Sequence, residues 1–185
     1  RISTVHIGSA QLTPDTTRRM SSIHRTMELD IVGPPETDLH RPAFGNRDLT
    51  QWLAQDLHMY ADLGPSHKKH TWGAVLLSKF PIINSTHHLL PSPHGELAPA
   101  IHAVLDIWGV PTHVVVSHNG QFEDKLDREL QTKAIARILS DAYPHPAIFL
   151  GYVVTKPHAP RPEPYDILVS DGLIFDVDPD DKDRW

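Results

Sequence analysis

The chain has 185 residues, of which 39% are hydrophobic and 22% charged, which is enough apolar sequence for one globular domain with its own core. Its formal net charge of −6 argues against a protein that holds nucleic acid through a basic face, because that binding depends on phosphate neutralisation by lysine and arginine. The absence of cysteine excludes disulfides and thiolate metal sites.

Strands and helices alternate in the first half of the chain. We predict a strand at 4–7, a helix at 15–28, a strand at 29–33 and a helix at 46–57. Pro14 suits the first turn of the first helix, where a missing N–H costs nothing. The pair of prolines after residue 33 ends the second strand, because proline cannot donate a hydrogen bond to a neighbouring strand.

The second half is predicted to contain more strands than helices. We predict strands at 73–77, 101–107, 113–117 and 147–150, and a loop at the prolines of 157–164. A helix is predicted at 123–141, where four apolar residues recur every four positions, namely Leu126, Leu130, Ala134 and Ile138. Strands with few intervening helices favour a layered α/β or α+β domain.

Two polar residues at strand ends are the first candidates for chemistry. Glu36 follows the strand at 29–33, and His118 ends the apolar run 114–116. Strand ends are where open sheets present functional groups, and histidine is a natural general base near neutral pH. The alternatives are a solvated loop acid for Glu36 and a hydrogen-bonded surface residue for His118.

Other motifs give weaker signals. Fourteen histidines invite a zinc hypothesis, but the sequence has no HExxH or comparable spacing, so zinc is not predicted. There is also no phosphate-binding GxxxxGK[ST] motif and no GxSxG motif. Asn84 begins an Asn-Ser-Thr sequence, which is a glycosylation site only if the chain meets the secretory lumen.

The order of several segments resembles the endonuclease/exonuclease/phosphatase superfamily. The segments are 32–37, 72–82, 114–118 and 127–131. The resemblance implies an α/β (α+β) four-layer sandwich in which helices flank two β-sheets. It also implies that Glu36 binds a divalent metal, with Mg²⁺ as the expected ion, and that His118 assists phosphodiester cleavage.

A narrower resemblance covers essentially the whole chain. Five segments look like the C-terminal domain of the fungal GPI-anchor ceramide-remodelling proteins: 45–50, 69–73, 85–93, 95–103 and 183–185. The resemblance implies that residues 1–185 are one domain of a larger, multi-spanning membrane protein of the endoplasmic reticulum, exposed to the lumen. The implied partners are a GPI or phosphatidylinositol headgroup and the transmembrane portion of the same polypeptide, with no nucleic acid.

The sequence departs from the superfamily pattern at three places. His6 stands where the first strand usually ends in asparagine, and Gly151 is followed by Tyr152-Val153-Val154 instead of Asp-x-Asn. The strand near residue 99 offers His102 where an arginine often reaches the phosphate. These departures argue against the usual magnesium-dependent hydrolysis. Relatives also continue past residue 185, so we expect the chain to lack the last strands of the fold.

Two classes of function follow from these features. In the first, the domain is a phosphodiesterase or phosphodiester transferase that exchanges diacylglycerol-type lipid for ceramide, with His118, Glu36 and His70 as catalytic residues. In the second, it binds the inositol-phosphate headgroup without catalysis. A metal-dependent nuclease or phosphatase is the less favoured alternative, and the negative net charge argues against a nuclease. Predicted substrate contacts are His6, Asp38, Asn46, Arg47, His88, His102 and Asn119. Glu36 and His118 are predicted to converge on one pocket.

Overall fold

A computed structural model of the protein describes residues 1–4, 14–33, 37–38, 46–65, 72–95, 97–119, 124–155, 158, 160 and 162–169. Within these residues the helices are α1 (Pro14–Thr26), α2 (Asn46–Asp56), α3 (Lys125–Asp141) and α4 (Pro164–Val169). The strands are β1 (Ile2–Thr4), β2 (Ile31–Gly33), β3 (Thr37–Asp38), β4 (Tyr60–Asp62), β5 (Trp72–Gly73), β6 (Leu76–Ser78), β7 (Ile82–Leu90), β8 (Ala98–Ile107), β9 (Val110–His118) and β10 (Ala147–Tyr152).

Two four-stranded sheets form the centre of the fold. The first sheet has the order β1-β2-β6-β4, with β1 parallel to β2 and β6 antiparallel to both of its neighbours. The second sheet has the order β10-β9-β8-β7, with β10 parallel to β9 and the other pairs antiparallel. A short third ladder joins β3 to β5.

The apolar side chains form three layers of core. One cluster lies between the sheets and includes Ile31 and Leu76 of the first sheet with Ile101 and Val116 of the second. A second cluster packs the outer face of the first sheet against α2, and a third packs the outer face of the second sheet against α3 and α4. The architecture is therefore the predicted four-layer sandwich, in which helices cover two facing sheets.

Several predicted elements differ from the structure in detail. The segment 73–77 is not one strand but parts of β5 and β6. β4 and β7 were not predicted, because β4 is short and β7 carries a polar run, Asn-Ser-Thr-His-His, that gives no apolar alternation. The predicted loop at 157–164 ends where α4 begins with Pro164 in its first turn. Residues 5–7 of the first predicted strand lie outside the described residues.

Helix α3 buries a more polar surface than its sequence pattern suggests. The buried positions are Asp127, Arg128, Gln131, Thr132, Ile135 and Leu139, whereas Leu126 is 43% exposed. Asp124 caps the helix, since its side chain accepts a hydrogen bond from the Asp127 N–H at 3.0 Å. None of the helices in the described ranges is long and apolar enough to cross a bilayer.

Candidate functional site

The ends of three strands meet at one rim of the sandwich. β9 and β10 are parallel and end in register, with His118 paired to Tyr152. Gly33, the last residue of β2 in the other sheet, packs so tightly here that a Cβ added to it would lie 2.8 Å from Leu150 Cβ and 3.2 Å from Val116 Cγ1. The carboxyl ends of β2, β9 and β10 therefore lie side by side, as the convergence prediction requires.

His118 stands at this rim on the side between the sheets. Side chains alternate along a strand, and Val114 and Val116 of β9 both belong to the cluster between the sheets. His118 is two residues after Val116, so its side chain points to the same face of the strand. The residue is half-buried, so the strand end holds it in place while part of it remains exposed to solvent. This is the position that a general acid or base needs.

The pairing of β9 with β10 depends on a glycine next to His118. Gly151 has φ of +154°, and a Cβ at this position would lie 1.9 Å from the Ser117 carbonyl oxygen. Only glycine fits there, because any side chain would collide with the backbone of β9. Gly151 therefore lets β10 approach the strand end that carries His118.

Asn119 is buried in the protein interior. It is 0% exposed, and its Nδ2 donates a hydrogen bond to Thr132 Oγ1 at 2.9 Å. Thr132 in turn donates to the Arg128 carbonyl at 2.7 Å. Asn119 was predicted to contact substrate, but its burial and its bond to α3 make it a link between the end of β9 and this helix.

The predicted substrate contacts His88 and His102 are not brought to His118. Ala98 and Ala100 of β8 pack in the cluster beneath α3, so His102, two residues further on, points to the same outer face. His88 pairs with Ala100 and shares that face. Both imidazoles are thus on the opposite side of the second sheet from His118, and the structure gives no support to their role in the same site.

These two side chains belong to a row of four imidazoles, the histidine row, formed by His88, His102, His113 and His145. Ring centroids of successive members are 6.4, 5.1 and 5.8 Å apart. His102 Nε2 and His113 Nδ1 are hydrogen-bonded at 2.8 Å. Burial first, and then the charge of neighbouring histidines, lowers the pKa of His88, His102 and His113 below the usual value.

The free energy of unfolding is expected to fall as the pH drops below about 6.5, because the unfolded chain then binds protons that the folded row binds only at lower pH. The contribution of the neutral row to the free energy of unfolding is therefore fully present above this pH. It is lost as the pH falls through the lowered pKa values. His102→Gln should make the loss between about pH 7 and 5 shallower. Urea denaturation at each pH measures this, with His58→Asn, an exposed histidine after α2, as the control. An unchanged slope in His102→Gln would contradict the assignment.

The remaining predicted site residues are only partly located. Glu36, His70 and His6 lie outside the described residues, and their roles stay predictions. Asp38 lies in β3, while Asn46 and Arg47 lie in the first turn of α2, as backbone positions only.

The described rim residues do not fit a magnesium site. The residues after the end of β10 are Val153, Val154 and Thr155, which supply no carboxylate. Among the described residues, one group has the composition of a metal site: His94, Asp124 and Asp127, whose ligand atoms all lie within 4.8 Å of one another. Its members already bind each other, with His94 Nδ1 2.7 Å from Asp124 Oδ2, and sequence spacing did not reveal it.

The fold defines the class of protein. The structure matches an endonuclease/exonuclease/phosphatase family protein from Bacteroides thetaiotaomicron with a TM-score of 0.66 at 15% identity, covering 92% of this chain and 68% of that one. A mannosyl-6-phosphatase from the same organism gives a TM-score of 0.69 at 14% identity, covering 92% and 70%. At these identities the similarity shows the fold alone: the chain is an endonuclease/exonuclease/phosphatase-type sandwich.

Sequence similarity identifies the family to which the chain belongs. It belongs to the family described as "PGAP2IP, C-terminal nuclease-like domain", whose model matches residues 1–185. It is 55% identical over 184 residues to Protein cwh43 of Schizosaccharomyces pombe, a match that covers 100% of this chain and 18% of that protein. The chain thus spans less than a fifth of the length of this relative.

Proposed function

We propose that the domain cleaves or transfers the inositol phosphodiester of a GPI or phosphatidylinositol lipid, as one step in exchanging diacylglycerol-type lipid for ceramide. The observation that carries the proposal is the position of His118, half-buried at the open rim between the sheets and beside the end of β2. The resemblance to GPI-anchor ceramide-remodelling proteins supplies the substrate class.

The proposed chemistry needs no metal. The inositol 2-hydroxyl is adjacent to the phosphodiester, so it can attack phosphorus as an internal nucleophile. His118 takes the proton of this hydroxyl while a second acid, His70 in our proposal, protonates the lipid oxygen as its bond to phosphorus breaks. Glu36 would hold the His118 ring in one orientation. The products are diacylglycerol and a cyclic inositol phosphate, which a ceramide hydroxyl can open by the reverse steps.

The test is to incubate the chain with phosphatidylinositol in detergent micelles and to follow phosphorus by NMR, in EDTA and in Mg²⁺. The proposal expects cyclic inositol phosphate and free diacylglycerol in both conditions. No turnover, together with saturable binding of inositol phosphate, would establish the alternative of a headgroup-binding domain. Turnover that requires Mg²⁺ and gives no cyclic product would contradict the metal-free route.

We also propose that the domain faces the lumen of the endoplasmic reticulum and adjoins the transmembrane portion of the same polypeptide. Asn84, the acceptor of the glycosylation sequence, is exposed on β7, so an oligosaccharide there would not disturb the core. Glycosidase treatment of the native protein should increase its gel mobility. Unchanged mobility would count against glycosylation of Asn84.

A further inference from the structure

We propose that His94, Asp124 and Asp127 bind one zinc-class divalent cation. His94 lies in the connection between β7 and β8, Asp124 caps α3, and Asp127 lies in the first turn of that helix. The start of β8 pairs with the end of β9, so the site is at the same end of the second sheet as His118. It does not depend on the proposed lipid chemistry.

The first support is the spacing of the ligand atoms. One ring nitrogen of His94 and one oxygen of each carboxylate all lie within 4.8 Å of one another. Two ligand atoms of a tetrahedral zinc ion, each about 2.0–2.2 Å from the metal, are about 3.4 Å apart. His94 Nδ1 and Asp124 Oδ2 are 2.7 Å apart, so a cation would replace their hydrogen bond after they open by less than about 1 Å.

The second support is the uncompensated charge of Asp127. The residue is 3% exposed, and its Oδ1 accepts a hydrogen bond from the His94 N–H at 3.2 Å. Within the described ranges, no ion pair joins this carboxylate to a lysine or an arginine. A buried carboxylate without a positive partner is costly, and a bound cation would remove that cost.

The charges around the site leave room for a divalent ion. The nearest cations along α3 are engaged elsewhere: Lys125 Nζ donates to a backbone carbonyl at 3.4 Å, and Arg128 Nη2 lies 3.9 Å from Glu163 Oε2. The end of the helix supplies about half a positive charge, so about one and a half negative charges of the two carboxylates remain while the His94 ring is neutral.

The two carboxylates are held in place by backbone groups. Asp124 Oδ1 accepts from the Asp127 N–H at 3.0 Å, which leaves Oδ2 directed at His94. Gly95 allows Asp127 to approach the connection between β7 and β8, because a Cβ at Gly95 would lie 2.8 Å from Asp127 Oδ2. Hydrogen bonds of this kind orient metal ligands before the metal arrives.

The donor set selects the class of ion. One imidazole nitrogen with two carboxylate oxygens suits zinc and similar transition metals, whereas magnesium and calcium prefer oxygen alone. The Asp127 N–H first, and then His94, lowers the pKa of Asp124, so this ligand is ionised at neutral pH. Three protein ligands leave the fourth position of a tetrahedral zinc ion open to water.

The experiment is calorimetric titration of the chain with zinc chloride, and with magnesium chloride as a comparison. We expect one saturable zinc ion per chain, no saturable magnesium binding, and an affinity for zinc weaker by about tenfold or more in His94→Gln and Asp127→Asn. His87→Gln is the matched control and should leave the affinity unchanged. His87 Nε2 also lies 2.7 Å from a carboxylate oxygen, that of Asp62, but this pair is outside the group.

Three results would overturn the site. They are the absence of saturable zinc binding, zinc binding that is kept in His94→Gln, and magnesium binding that displaces zinc. Two measurements guard against an Asp127→Asn variant that does not fold. Zinc should raise the urea midpoint of the unaltered chain but not that of His94→Gln, which changes only an exposed ring. Nitrogen NMR of the unaltered chain should show a zinc-dependent shift at His94 Nδ1, and an unmoved resonance at saturating zinc would prove the proposal wrong.

Discussion

His118→Ala is expected to lower the rate of inositol phosphodiester cleavage by about 10²–10⁴, because loss of a positioned general acid or base removes a factor of this size. The free energy of unfolding should change by less than about 1 kcal/mol, since the half-buried ring adds little to the core. The measurement is the initial rate of cyclic inositol phosphate formation, with urea denaturation of the same variant to check folding.

Two controls distinguish a catalytic role of His118 from a purely structural role at the rim. His58→Asn removes an exposed imidazole after α2 and should leave the rate unchanged. Added imidazole should partly restore the rate of His118→Ala if the lost group carried a proton. A loss under tenfold, with headgroup binding weakened by about 1–3 kcal/mol, would instead make His118 a hydrogen-bond donor to the phosphate.

The general position of His118 was predictable from sequence because it depends on strand ends. The apolar run 114–116 predicted a buried strand, and β9 does end at His118. The parallel pairing with β10 and the close packing of Gly33 then bring three strand ends to one rim. Glu36 lies outside the described residues, so its approach to His118 stays a prediction.

The face of His88 was not predictable because β7, the strand that carries it, was not predicted, whereas His102 lies in the strand predicted at 101–107. His102 was predicted to contact substrate because it lies on the strand from which an arginine often reaches the phosphate in the superfamily, and His88 was predicted alongside it. β7 had no apolar alternation, so neither its existence nor its pairing with β8 could be foreseen. Once that register is known, the pairing of His88 with Ala100 assigns His88 to the outer face, where alternation along β8 also places His102.

In helix α3 the apolar repeat predicted the helix but not its buried face, because many of the buried residues are polar. The four-residue repeat that begins at Leu126 identified the helix correctly, but Leu126 itself is exposed. The buried surface of the helix includes Gln131 and Thr132, whose polar groups find partners that only the tertiary structure supplies. Gln131 Nε2 donates to Ser92 Oγ, and Thr132 Oγ1 accepts from Asn119 Nδ2. The bond from Asn119 to Thr132 was not predictable for the same reason, because Thr132 lies on this helix.

Glu163→Gln is expected to lower the free energy of unfolding by about 3–5 kcal/mol, the usual cost of removing one partner of a buried ion pair. Arg128 Nη2 of α3 lies 3.9 Å from Glu163 Oε2, and the two side chains are 3% and 1% exposed. Glutamine has nearly the shape of glutamate, so the main change is a buried guanidinium charge without its compensating carboxylate. Urea denaturation at pH 7 measures the loss.

The same helix provides a matched exposed pair. Glu129 Oε1 accepts from Lys133 Nζ at 2.6 Å, and Glu129→Gln should cost only about 0.3–0.5 kcal/mol because solvent screens this pair.

The double variant Arg128→Met with Glu163→Gln tests the cause of the larger loss. If the cost comes from the unpaired charge, removing the charge as well should recover much of the stability, so the double variant should be more stable than Glu163→Gln. Equal costs for Glu163→Gln and Glu129→Gln would show that the buried charges do not hold α3 and α4 on the second sheet. Additive losses in the double variant would point to packing instead of charge.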